Sequence, residues 1–237
     1  MKKFTLLFIS MSLLMVSCIK EQVSGDGPLV TETRSINNFS AIDLQCSANV
    51  VYKQDAAYKV EITAQQNILD VMITEVSNNK LVIKYKNDVR VKSHDQITIV
   101  VSSPDMRPLR ISGSGNITTL APLNSSSMEM NISGSGNIDV AEITTGMIDA
   151  SISGSGNMKI SAGTGSEEKL RISGSGNIDM QNVVVTKATT TTSGSGESRV
   201  NASQNLDVTI SGSGSVYYKG TPIINTSISG SGKVIHL

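Results

Sequence analysis

Asp139 and Asp179 hold the same position in a repeated sequence motif, and two carboxylates on one surface are the minimal machinery for breaking a glycosidic bond. Stacked two repeats apart at the strand spacing of a sheet, they would stand about 9.6 Å from one another, the upper limit for an inverting pair. The intervening repeat puts Lys159 in that place, and the next repeat puts Arg199 there. The series Asp139, Lys159, Asp179, Arg199 therefore reads as a solvated face of alternating charge, each exposed pair contributing roughly 0.2–1 kcal/mol. Glu129, Asp149 and Lys169 form a second such column. Neither histidine has an arranged partner: His94 lies in the polar run Val91-Lys92-Ser93-His94-Asp95, and His236 takes an apolar phase. Cys46 falls on the apolar phase of an alternating segment, as a buried and inert thiol would. No nucleophile elbow, zinc motif or paired His/Cys signature is present.

The residues with the most regular spacing are glycines. The hexad Ile-Ser-Gly-Ser-Gly-Asn begins at Ile111, Ile132, Ile152 and Ile172, and degenerate copies begin at Thr192, Ile210 and Ile228. Its glycine pairs are Gly113 and Gly115, Gly134 and Gly136, Gly154 and Gly156, Gly174 and Gly176, Gly194 and Gly196, Gly212 and Gly214, and Gly230 and Gly232. Successive copies are 21, 20, 20, 20, 18 and 18 residues apart, a period that signals a solenoid. Phosphate-cradling loops also use glycine, but no Gly-x-x-x-x-Gly-Lys-Ser/Thr occurs and seven copies are too many for one nucleotide. Calcium-binding repeats carry aspartate after the glycines, whereas Asn116, Asn137, Asn157 and Asn177 stand there in this chain. The hexad is thus a structural turn: glycine permits positive φ and close backbone approach, and Ser and Asn side chains bond the backbone groups freed by the bend. No metal and no cofactor is expected.

Around each hexad the sequence alternates. Leu109, Met130, Ala150, Leu170, Thr190, Val208 and Thr226 stand two residues before the coil start, and Ile117, Ile138, Met158, Ile178, Ser198, Val216 and Val234 six after it. Each coil reads as strand, corner, strand, with like residues stacked about 4.8 Å apart. This predicts an all-β, single-stranded parallel β-helix, a β-solenoid with coils of about 20 residues. The coil with Thr190, Thr192 and Ser198 facing inward is the weak one.

The first half, residues 36–108, lacks hexads. Residues 42–46, 58–62, 81–85 and 97–101 alternate as strands, and residues 67–72 suit a short helix capped by Asn67. Asn78-Asn79 and Asn87-Asp88 mark turns. This region is expected to begin and cap the same solenoid that residues 109–237 continue.

At the amino end, Lys2 and Lys3 precede an apolar run over residues 4–16, too short to span a bilayer, then Ser17 and Cys18. Residues 1–17 read as a signal peptide. Leu14-Met15-Val16-Ser17-Cys18 resembles a bacterial lipobox, which makes Cys18 the acylated first residue of the mature chain. Residues 18–35, polar and holding Gly25, Gly27 and Pro28, read as a tether to the membrane. Lys and Arg total 20 against 20 Asp and Glu, which argues against nucleic acid as a partner.

Residues 36–236 resemble the head GIN domain family of auto-transporter adhesins, from the opening Phe39-Ser40-Ala41-Ile42 through Leu81-Val82-Ile83 to the repeated Ile-Ser-Gly-Ser-Gly-Asn-Ile. The resemblance implies a right-handed parallel β-helix on a secreted or lipidated envelope protein of a Gram-negative bacterium, with adhesion as its function and no catalytic residues. Two classes of function follow: an outer-membrane binding or adhesion module for a glycan or protein, and a polysaccharide lyase or hydrolase of the kind other β-helices carry. Aromatic residues, the usual platforms for sugar rings, are 3% of the chain, which favours the first. Tyr217, on an outward phase beside Tyr218, is the candidate contact residue.

Overall fold

A computed structural model describes residues 21–237. The expected signal peptide over residues 1–17 and the expected acylation site Cys18 lie outside the described residues. The chain forms a β-solenoid whose coils pair in parallel and in register. Ile111, Ile132, Ile152, Ile172, Thr192, Ile210 and Ile228 stand over one another, as the repeat requires.

The coils between residues 116 and 212 have three inward-facing runs where the sequence pattern shows two. The strand Asn137–Gly154 follows almost a whole coil, burying Ile138 and Val140, then Ile143 and Thr145, then Ile148, Ala150 and Ile152. Alternation holds within a run, and a three-residue step between runs resets the phase. The middle run escapes detection because its column, Leu123, Ile143, Gly163 and Val183, loses its side chain at Gly163. The same face absorbs differences in coil length. Leu120, 74% exposed, lies in the extra residue's bulge between Thr119 and Pro122, and the shorter coil Glu197–Gly212 drops residues opposite the segment between Asp179 and Val184. Corner spacing varies in the sequence while the corners themselves stay aligned.

In the first half, space and sequence disagree about order. Ala41–Leu44 and Asn49–Gln54 make one coil, and Pro108–Gly113 and Asn116–Gly134 lie on one side of it. Its other side is covered by later strands, Lys80–Tyr85 on Ala41–Leu44 and Thr98–Ser103 on Asn49–Gln54. Antiparallel strands then close this end: Met72–Ser77 on Lys80–Tyr85, Lys59–Gln65 on Thr98–Ser103, and Leu29–Thr33 on Lys59–Gln65. The helix Gln66–Leu69 contributes Ile68 and Leu69 to the apolar core that runs through the coils. Gln65, not Asn67, is its N-cap residue, and no side chain caps it.

The expected tether over residues 18–35 is corrected by strands at Glu21–Ser24, parallel to Val89–Ser93, and at Leu29–Thr33. Val23 and Val30 pack against the core, so Gln22, Ser24, Thr31 and Thr33 are the outer phase of strands rather than linker, and residues 25–28 form the turn that joins the strands. Asn67 fastens the turn between the two strands. Its side-chain amide donates to the Ser24 carbonyl at 2.7 Å, and its Oδ1 accepts the Asp26 N–H at 3.1 Å.

Candidate functional site

The hexads build the scaffold on which any site must sit. At the Gly113, Gly134, Gly154, Gly194 and Gly212 corners the carbonyl of the first glycine accepts two successive N–H groups from the next coil: Gly134 O takes Ser155 N at 2.9 Å and Gly156 N at 3.2 Å, and Gly154 O takes Ser175 N and Gly176 N at the same distances, while Gly174 O takes Ser195 N alone. The first glycines have φ between +125° and +149°. The bend's backbone groups are therefore satisfied mainly by the backbone of the coil alongside, with the Glu197 N–H, bonded to Asn177 Oδ1, as an exception. The asparagines of the hexads bond one another instead. Asn116 donates to Asn49 Oδ1 at 2.7 Å, Asn137 to Asn116 at 2.8 Å, Asn157 to Asn137 at 3.0 Å, and Asn177 to Asn157 at 3.1 Å. Asn177 Oδ1 ends the ladder by accepting the Glu197 N–H at 3.1 Å.

The ladder's first rung, Asn49, exposes a hidden corner. Leu44-Gln45-Cys46-Ser47-Ala48-Asn49-Val50 stands under Ile111-Ser112-Gly113-Ser114-Gly115-Asn116-Ile117, with Cys46 and Ala48 in the glycine places. Cys46 is buried and unpaired, and burial pushes its thiol up to about 12, so it carries no reactive thiolate.

Of the outward residues, Tyr217 lies beside Arg199 and Ile235, with the Arg199 guanidinium 5.0 Å from its ring centre. Tyr218 turns the other way and meets the ring of His236 at 4.9 Å. His94 shares a hydrogen bond with Ser47 at 3.0 Å. Asp139, Lys159 and Asp179 do stand in one column, but among the described residues no ion pair joins them. Arg199 pairs with Glu197 of its own strand at 3.0 Å. In the second column Glu129 accepts Arg110 at 2.5 Å and Asp149 accepts Arg171 at 2.6 Å. The column order thus reflects neighbouring pairs across and along strands, not a string of contacts within one column.

A groove of about 500 Å³ crosses the surface where four coils meet, lined by Asn78, Asn79 and Lys80, Ser40, Arg107 and Arg110, and Ser127 and Glu129. Its floor is a backbone ladder: Asn79 O accepts Ser40 N at 2.9 Å, Ser40 O accepts Arg107 N at 3.0 Å, and Arg107 O accepts Glu129 N at 2.9 Å. Asn78 and Asn79, with φ of 51° and 61°, form the tight turn that brings Lys80 to the rim. Glu129 is held by Arg110 and by the Asn131 amide at 2.6 Å, Arg107 bonds Asp105 at 2.8 Å, and Arg110 Nε is buried with no partner. Planar amides, guanidinium groups and a carboxylate on a rigid floor suit sugar hydroxyls or an acidic group. Sequence reasoning marked the Asn78-Asn79 turn, Glu129 in a charge column and Ser40 in the opening motif, but not their meeting, because these segments come together through the out-of-order coil.

Known proteins that resemble this chain share its architecture. A crystal structure from Bacteroides fragilis, described as a "putative adhesin", matches with a TM-score of 0.86 and 24% identity, covering 91% of this chain and 100% of its own. A "putative lipid binding protein" from Parabacteroides distasonis matches at 0.78 and 28% identity, over 92% and 100% of the two chains. A "putative adhesin" from Parabacteroides merdae matches at 0.76 and 25%, over 92% and 99%. Among curated proteins, none matches the chain. The family described as "Putative auto-transporter adhesin, head GIN domain" matches residues 38–222, and the chain belongs to that family.

Proposed function

We propose that this protein is a non-catalytic binding and adhesion module of the Gram-negative cell envelope, anchored to the outer membrane by an acylated Cys18, and that the groove at Asn79, Lys80, Arg107 and Arg110 receives a glycan or protein ligand. The observation that carries the reading is the groove itself, polar side chains from four coils on one hydrogen-bonded floor. Such a surface binds by fixed complementarity, with little ordering to be done on contact. The family's description as adhesins supports the same direction.

A glycan and host-matrix binding array on the full chain, beside the double variant Arg107→Ala and Arg110→Ala, tests the ligand site. Binding that the double variant loses is the expected result, and binding unchanged by it removes the groove from the reading. A polysaccharide-degradation screen run in parallel decides against the enzymatic alternative if no product forms. Metabolic palmitate labelling tests the anchor: Cys18→Ala abolishes the label, and persistent labelling of that variant rejects acylation at Cys18.

A further inference from the structure

The solenoid core contains one acidic side chain with nothing to answer it. Glu168 is fully buried, and both its carboxyl oxygens lack a hydrogen-bond partner. It occupies the inward column Met128, Ile148, Glu168, Ala188, Leu206, so its neighbours in register are an isoleucine on one side and an alanine on the other. The charged residues on its own strand and on the two strands flanking it, Asp139, Glu142, Asp149, Glu167, Lys169, Arg171, Asp179 and Lys187, all stand on exposed or half-buried outward phases, so none of them faces it. The same holds for Lys159, earlier in the same coil. Burial drives the Glu168 carboxyl well above the ordinary carboxylate range, so the folded coil holds it as the neutral acid.

The coil that contains Glu168 is also the least continuous of the regular coils. Its neighbours run through their bends as single strands, Asn137–Gly154 and Asn177–Gly194, whereas it is broken into Asn157–Ile160, Gly163–Thr164 and Glu167–Gly174. Gly163 removes the side chain of the middle face in this layer. Next to it, Thr190 and Thr192 bury hydroxyls that have no partner.

We propose that this coil is a pH-operated seam: when Glu168 gives up its proton to solvent, the coil over residues 157–174 opens while the coils on either side remain folded. A carboxylate without partners in this core is far costlier than a neutral acid, and opening the coil is the nearest route to water. Because the proton is held more tightly in the folded state than in the open one, the stability of the closed coil is complete below the free carboxyl range of about pH 4.3 and declines as pH rises above it.

Hydrogen exchange followed by mass spectrometry on the full chain at pH 5, 7 and 9, corrected for the intrinsic pH dependence of exchange, tests the seam. Wild type is expected to exchange at least tenfold faster at pH 9 than at pH 5 across residues 161–174, with residues 116–134 unchanged, and Glu168→Gln is expected to remove that difference. Should Glu168→Gln not fold, Glu168→Ile, which continues the Ile148 column, takes its place. An equal pH response in wild type and variant, no response in wild type, or uniform acceleration of every coil overturns the proposal.

Discussion

Gly154 lies directly over Gly134, whose carbonyl oxygen receives the N–H groups of both Ser155 and Gly156. With φ at +134°, Gly154 occupies a backbone conformation that side chains rarely adopt, and a Cβ placed on it would collide with that same oxygen. Conformation and space exclude every other residue for independent reasons. The second glycine is required by space alone: a Cβ on Gly156 would meet the Gly136 carbonyl and the side chain of Ile132.

Gly154→Val is therefore expected to lower stability by about 3 kcal/mol or more, combining strain with the loss of two inter-coil hydrogen bonds. Ser155→Val, on the exposed phase of the same corner, should change it by no more than about 0.5 kcal/mol. Urea denaturation of the two variants beside wild type measures both, and equal effects would contradict the corner's geometry.

Asn137→Ala removes a donor to Asn116 and an acceptor for Asn157 in one step. The half-exposed ladder predicts a loss of about 1–2 kcal/mol, since each bond contributes on the order of 1 kcal/mol net. Asn177→Ala should cost a similar amount, because it loses the bond to Asn157 and leaves the Glu197 N–H without its acceptor. Denaturation midpoints give the comparison.

Thr192→Val is expected to stabilise the fold. Its hydroxyl is buried without a partner, and valine keeps the shape while discarding the polar atom, a gain of about 1 kcal/mol. Thr190→Val should behave in the same way, and calorimetry that shows both variants melting below wild type would contradict the assignment of these hydroxyls to the core.

Cys46 should resist alkylation at pH 8 while the fold is intact and react on unfolding. Its thiol is raised to about 12 by burial, so the folded state favours the protonated form. That contribution to stability is complete below the free thiol's range near about pH 8.5 and is lost as pH climbs towards the folded value. Iodoacetamide labelling with peptide mass analysis, in buffer and in urea, distinguishes the two states at this residue.

The regular half was legible because its corners tolerate no substitution of glycine: the steric demand at Gly154 recurs at Gly134, Gly174, Gly194, Gly212 and Gly230, and it writes the period into the sequence. The coil at Leu44-Gln45-Cys46-Ser47-Ala48-Asn49-Val50 was not legible, because no other coil of this kind lies beneath it and its glycine places are filled by Cys46 and Ala48. The middle face was hidden by the side chain missing at Gly163 together with the length change at Leu120. Glu168 was hidden for another reason: in Ser166-Glu167-Glu168-Lys169 it sits among charges, and only the phase fixed by Leu170 and Ile172 turns it inward. The groove combines residues as distant as Ser40 and Glu129, which alternation along one strand cannot bring together.

The interleaved order of the early strands gives the molecule a direction of assembly. Ala41–Leu44 and Asn49–Gln54 precede in the chain the strands that supply both flanks of their layer, Lys80–Tyr85 and Thr98–Ser103 on one flank and Pro108–Gly113 on the other. The amino-terminal flank of that layer is therefore complete only when the chain through residue 103 is in place. After that point each new turn finds a finished edge to join, and the wall rises one way, from its amino-terminal plug towards its carboxyl end.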